Sequence, residues 1–173
     1  MLHLRASSLA DTRAIAGAVA GLSRSGDLIV LSGEMGAGKT AFAQGFGAAL
    51  GVTEPITSPT FTLVHTYATA GRVMLHHADV YRLTTQHEVA DLAIGELLEY
   101  DGIVLVEWGD VVAAALGDHL LVHLKHDLSD DDARSVTLSG VGPTWAARWS
   151  RIESATAAFA SPTPGAGSGG APC

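Results

Sequence analysis

Cysteine occurs once in the 173 residues, at the last position, Cys173. It leaves no internal disulfide and no thiolate cluster for a metal, which fits a reducing, cytoplasmic setting. Lysine is nearly as scarce: Lys39 and Lys125 stand alone, and all ten Lys and Arg residues face 18 Asp and Glu, for a formal net charge of −8. Without a cationic block there is little to displace counterions from a phosphate backbone, which argues against nucleic acid as the main direct ligand. Long apolar runs are missing too. No stretch approaches the ~20 residues that span a bilayer, and the opening MLHLRASSLADTR lacks the basic and then apolar pattern of a secretion signal. The expectation is a chain that is neither exported nor embedded in a membrane.

What the chain does have is 47% hydrophobic content over a length suited to one domain. Residues 1–152 are read as that domain. From Glu153 the text turns to ESATAAFASPTPGAGSGGAPC, too poor in large apolar side chains to offset the entropy of ordering them. A disordered tail over 153–173 is expected.

Within the domain, Ser8 and Asp11 have the spacing of a helix start, and Leu9, Thr12, Ile15, Ala16, Val19 and Leu22 then share a face. Asp27 to Leu31 reads as a short buried parallel strand. Lys39 to Leu50 reads as a helix with Gly51 at its stop. Phe61 to Tyr67 alternates like a strand, and Arg72 to Val80 returns beside it through a turn at Gly71. Thr85 to Glu88 has capping-box spacing and opens another helix through Leu97. Ile103 to Val106 is a second buried strand, ending in Glu107-Trp108. Leu120–Leu124 and Ser135–Leu138 are two further strands around an acidic, solvated turn at Asp127–Asp132.

The chemistry concentrates in GEMGAGKT, residues 33–40, lying between the first buried strand and the helix after it. Gly33, Gly38, Lys39 and Thr40 occupy every fixed position of G-x-x-x-x-G-K-[ST]. Such a loop turns main-chain N–H groups onto a polyphosphate, and the helix behind it adds the positive end of its dipole. Lys39 then reaches the terminal phosphates and the Thr40 hydroxyl holds Mg²⁺. Glu34, Met35, Gly36, Ala37, Gly38, Lys39, Thr40 and Ala41 are therefore the candidate nucleotide contacts. A phosphate loop also needs a carboxylate from a neighbouring strand end to complete the metal shell. Glu107, after the stronger strand Ile103 to Val106, and Asp79, which follows Val73-Met74-Leu75 less directly, are the two candidates. His77 suits an orienting or merely structural role better than metal ligation, since no third ligand stands at a suitable spacing.

Taken with Ser58-Pro59-Thr60-Phe61, His77-Ala78-Asp79-Val80-Tyr81-Arg82 and Val106-Glu107-Trp108, the loop resembles the TsaE (YjeE) family, bacterial P-loop ATPases of tRNA threonylcarbamoyladenosine biosynthesis. The resemblance covers roughly residues 5 to 140. It implies a P-loop NTPase-like three-layer α/β/α sandwich with a mixed, mostly parallel central sheet and antiparallel edge strands. It also implies that Ser58–Phe61 and His77–Arg82 are switch-like segments and that Thr40 and Glu107 contact Mg²⁺. By the same resemblance Trp108 lies close to the nucleotide, Thr12 contacts the base, and Arg134 to Val136 complete the base pocket. Ala78 stands where the family carries an aromatic.

The expected activity is Mg-dependent ATP binding and slow hydrolysis, with Lys39, Asp79 and Glu107 in catalytic roles. Like its family, the chain would drive or reset a TsaD–TsaB complex and meet tRNA only through it. Two other readings share the loop: a nucleotide-gated interaction module with incidental hydrolysis, and a small-molecule P-loop kinase. The kinase would need several arginines around the transferred phosphate, and the eight here are not clustered.

Overall fold

The computed structural model describes residues 1–59, 63–83, 93–99, 102–109 and 117–161. Four strands run side by side in parallel: β2 (Leu28–Ser32), β4 (Met74–Asp79), β5 (Gly102–Glu107) and β6 (His119–Asp127). Antiparallel strands flank them, β1 (Leu2–Ala6) and β7 (Asp130–Val141) on one side and β3 (Val64–Ala68) on the other. The order across the seven-stranded sheet is β1-β7-β6-β2-β5-β4-β3.

The strand sequences explain the layering. LIVLS of β2 and GIVLVE of β5 are buried at every residue, as strands covered on both faces must be. Alternation then sorts their side chains. Ile29, Leu31 and Leu105 pack with Ile15, Val19, Phe42 and Phe46, which belong to α1 (Leu9–Ala20) and α2 (Lys39–Ala49). Leu28, Val30, Val104 and Val106 pack on the other face with Ile94 of α3 (Ile94–Glu99). The result is helix, sheet, helix.

Local signals set the helix ends. Ser8 caps α1, its hydroxyl accepting the Asp11 N–H at 3.1 Å while Asp11 accepts the Ser7 N–H at 2.9 Å. Beyond α2, Gly51 takes a φ of 81°, the left-handed turn that stops the helix.

Three expectations need correction. β1 was not anticipated; it exists by pairing with β7, Leu2 opposite Leu138 and Ala6 opposite Arg134. The strand expected from Phe61 begins at Val64, because Leu63 turns at a φ of 67° and its N–H donates to the Pro59 carbonyl. The boundary at Glu153 falls inside a helix. After α4 (Pro143–Ala146), α5 runs Trp149–Thr156 with Ile152 and Thr156 buried, and a 3₁₀ turn follows at Ala157–Phe159. One apolar face is enough to dock so short a helix, so its poor composition is no bar. Ala160 then bridges Leu4, and the Ser161 N–H donates to the His3 carbonyl. Thr60, Phe61, the helix start at Thr85–Glu88 and residues 162–173 lie outside the described residues.

A buried ion pair ties this C-terminal part to the sheet. Arg148 donates to both carboxylate oxygens of Asp27 at 2.6 Å, gives a further N–H to the Leu22 carbonyl, and lies over the Trp145 ring.

Candidate nucleotide site

Because β2, β5 and β4 are parallel neighbours, their carboxyl ends meet at one edge of the sheet. Leu31 is in register with Glu107, and Asp79 with Glu107. The loop after β2, the Glu107-Trp108 corner and the segment after β4 therefore face one cleft of about 530 Å³. Crevices at strand carboxyl ends are where open α/β sheets bind ligands.

The loop's shape depends on glycine. Gly33 has a φ of 134°, and a Cβ there would strike the Leu124 carbonyl oxygen of β6; Gly38, at 107°, turns the chain into α2. Lys39 follows as the first helical residue. Its ammonium donates to the Gly33 and Glu34 carbonyls at 2.8 and 2.9 Å and lies 3.5 Å from the Trp108 ring centroid. Trp108 reaches this position by reversing the backbone at a φ of 63°, its N–H bonded to the Leu31 carbonyl and its ring against Tyr81.

Thr40, one residue into α2, donates its hydroxyl to Glu107 Oε1 at 3.0 Å, with Oε2 at 3.4 Å. His77 Nε2 meets the same Oε1 at 2.9 Å. Asp79, two residues along β4 on the same face as His77, accepts the Ser58 hydroxyl at 2.8 Å and the Tyr81 N–H at 2.9 Å. Both Glu107 and Asp79 are buried.

Lys39, Thr40, Asp79, Glu107 and Trp108 thus share the cleft, with Met35, Gly36, Gly38 and Ala41 along the loop side. Thr12 lies elsewhere. It lines a second pocket of about 420 Å³ with Ser8, Asp132 and Arg134, on the far side of Gly36, Gly38 and Ala41, which border both spaces. Glu34 is exposed and outside the cleft lining, and Ala37 is a core residue. The bonds from His77 to Glu107 and from Ser58 to Asp79 are not legible in the sequence. His77 and Asp79 do fall on one strand face by their spacing of two, but their partners, Glu107 and Ser58, lie on segments distant in sequence.

The donor set fits Mg²⁺. Thr40 and Glu107 are hard oxygen donors already adjacent, and no group of three or more His, Cys, Asp or Glu suited to a metal occurs among the described residues. An ion that keeps its waters and takes the rest of its shell from phosphates needs few protein ligands.

Comparison with known proteins agrees with this geometry. The family described as "Threonylcarbamoyl adenosine biosynthesis protein TsaE" matches residues 6–136. The tRNA threonylcarbamoyladenosine biosynthesis protein TsaE of Bacillus subtilis is 38% identical over 133 residues, 76% of this chain and 81% of that protein. Its namesake in Streptomyces coelicolor is 40% identical over 133 residues, 74% of this chain and 89% of that one. The crystal structure of YdiB from Bacillus subtilis superposes with a TM-score of 0.70 at 31% identity, covering 88% of this chain and 94% of that one. The chain belongs to the TsaE family of tRNA threonylcarbamoyladenosine biosynthesis.

Proposed function

We propose that this protein binds Mg–ATP in the cleft and hydrolyses it slowly, using the cycle to drive or reset a TsaD–TsaB complex during threonylcarbamoyl modification of adenosine in tRNA. The observation that carries the reading is the meeting of Lys39, Thr40 and Glu107 at adjacent parallel strand ends behind a glycine loop. The loop amides and the Lys39 ammonium hold the phosphates, and Trp108 walls the site beside the ammonium. Thr40 and Glu107 hold Mg²⁺, which when bound neutralises developing phosphate charge. Asp79 orients the attacking water, its own carboxylate steadied by Ser58 and the Tyr81 N–H. The base enters the pocket of Thr12 and Arg134.

Low turnover by the isolated chain is part of the same proposal, with the partner complex accelerating the cycle. An acidic chain with two lysines reaches tRNA through that partner rather than by its own surface. A cytoplasmic location belongs to the same proposal. Steady-state ATPase rates with and without TsaD–TsaB test it: stimulation by the complex is expected, and a fast enzyme indifferent to the complex overturns it. The second reading, a nucleotide-gated interaction module, draws on Met35 and Tyr81, which are 71% and 52% exposed at the cleft. Replacing Glu107 by Gln, assayed at ATP concentrations that saturate the variant, separates the two, since a module then keeps its ATP-dependent partner binding while a motor stops modifying tRNA after the first round.

A further inference from the structure

One buried polar side chain beside the cleft has no part in the steps above. His77 is 1% exposed, and its Nε2 lies 2.9 Å from Oε1 of Glu107, itself 3% exposed. The carboxylate offers this bond an acceptor, so the hydrogen is on Nε2. The other ring nitrogen, Nδ1, has no hydrogen-bond partner among the described residues. Burying an unpaired nitrogen is unfavourable, and an apolar side chain of similar size would avoid it. Packing therefore does not account for His77; the Nε2 bond does.

We propose that His77 is a positioning residue: its Nε2–H holds Glu107 in the orientation that meets Thr40 and so sets the Mg²⁺ dependence of nucleotide binding. This rests on the Mg–ATP reading. The bond comes from the β4–β5 pairing, where Asp79 is in register with Glu107, and not from the glycine loop. It is thus independent of how the loop wraps a nucleotide. Partners that orient a metal's carboxylate from behind commonly change metal affinity by about 10- to 100-fold when removed.

The test uses the full chain and a non-hydrolysable ATP analogue, titrated calorimetrically in Mg²⁺ and in EDTA. In His77→Leu the gain in affinity that Mg²⁺ confers should fall by about tenfold or more, with affinity in EDTA unchanged. His77→Gln, whose amide N–H reaches a similar point, should keep most of the gain. If His77→Leu retains the full Mg²⁺ gain, or weakens binding equally in both buffers, the proposal is overturned. Should the leucine variant fail to fold by circular dichroism, His77→Asn replaces it: its shorter amide must lose the gain that His77→Gln keeps, and equal behaviour of the two overturns the proposal. A parent chain that binds equally well with and without Mg²⁺ defeats the metal reading itself, and this inference with it.

Discussion

Gly33 shows how much one missing methyl group decides. Its φ of 134° and the Leu124 carbonyl beside it leave no room for a Cβ, whereas a Cβ on Gly38 would meet only the Leu124 side chain at an ordinary 3.7 Å. Gly33→Ala should therefore lose on the order of 3 kcal/mol of stability and Gly38→Ala about 1, compared by urea denaturation. Equal losses would contradict the close approach of β6. His76 gives a prediction with a sign. It is buried with Nδ1 against the Thr66 hydroxyl, and burial lowers its pKa below the usual 6.5. As pH falls, the unfolded chain takes up this proton first. Stability from this position is therefore complete above about 6.5 and declines as pH drops from there toward the lowered folded value. Urea midpoints measured across that range should fall less steeply in His76→Leu. At the site, Glu107→Gln should reduce the Mg²⁺ enhancement of nucleotide binding about as severely as His77→Leu does, and the double variant should add little to either, read in a calorimetric double-mutant cycle.

At the level of helices and strands, what the sequence discloses depends on how local the cause is. The Ser8 cap, the Gly51 stop and the continuous apolar runs of β2 and β5 act over a few residues, and each was readable in place. The glycine loop was readable for the same reason, since its fixed positions fall within eight residues of chain. β1 is different. LHLRA is a strand because β7, more than a hundred residues later, supplies its hydrogen bonds. A separation of 30 residues likewise hid the bond from His77 to Glu107. α5 escaped notice because its stability comes from docking Ile152 and Thr156 and from Arg148 just before it, not from helix-forming composition. Arg148→Ala should accordingly cost about 3 to 5 kcal/mol in denaturant unfolding, since it strands the buried Asp27 carboxylate. Replacing both partners by apolar residues should cost much less, which distinguishes charge burial from lost packing.

The described residues form one sheet with the glycine loop near its middle, and no helix among them is long and apolar enough to cross a membrane. Its stability extends past the boundary that composition suggested. A chain ended at Ile152 should melt several degrees below one ended at Ser161, by circular dichroism, because it loses the buried Thr156 and the bonds of residues 160 and 161 to β1. Those two bonds have another consequence. Laid against Leu4 and His3, residues 160 and 161 occupy main-chain groups on the outer rim of β1 that would otherwise be open to a strand from a neighbouring molecule. Clipping the chain just before this seal should leave the glycine loop intact yet make the protein prone to self-association, visible as rising light scattering on storage.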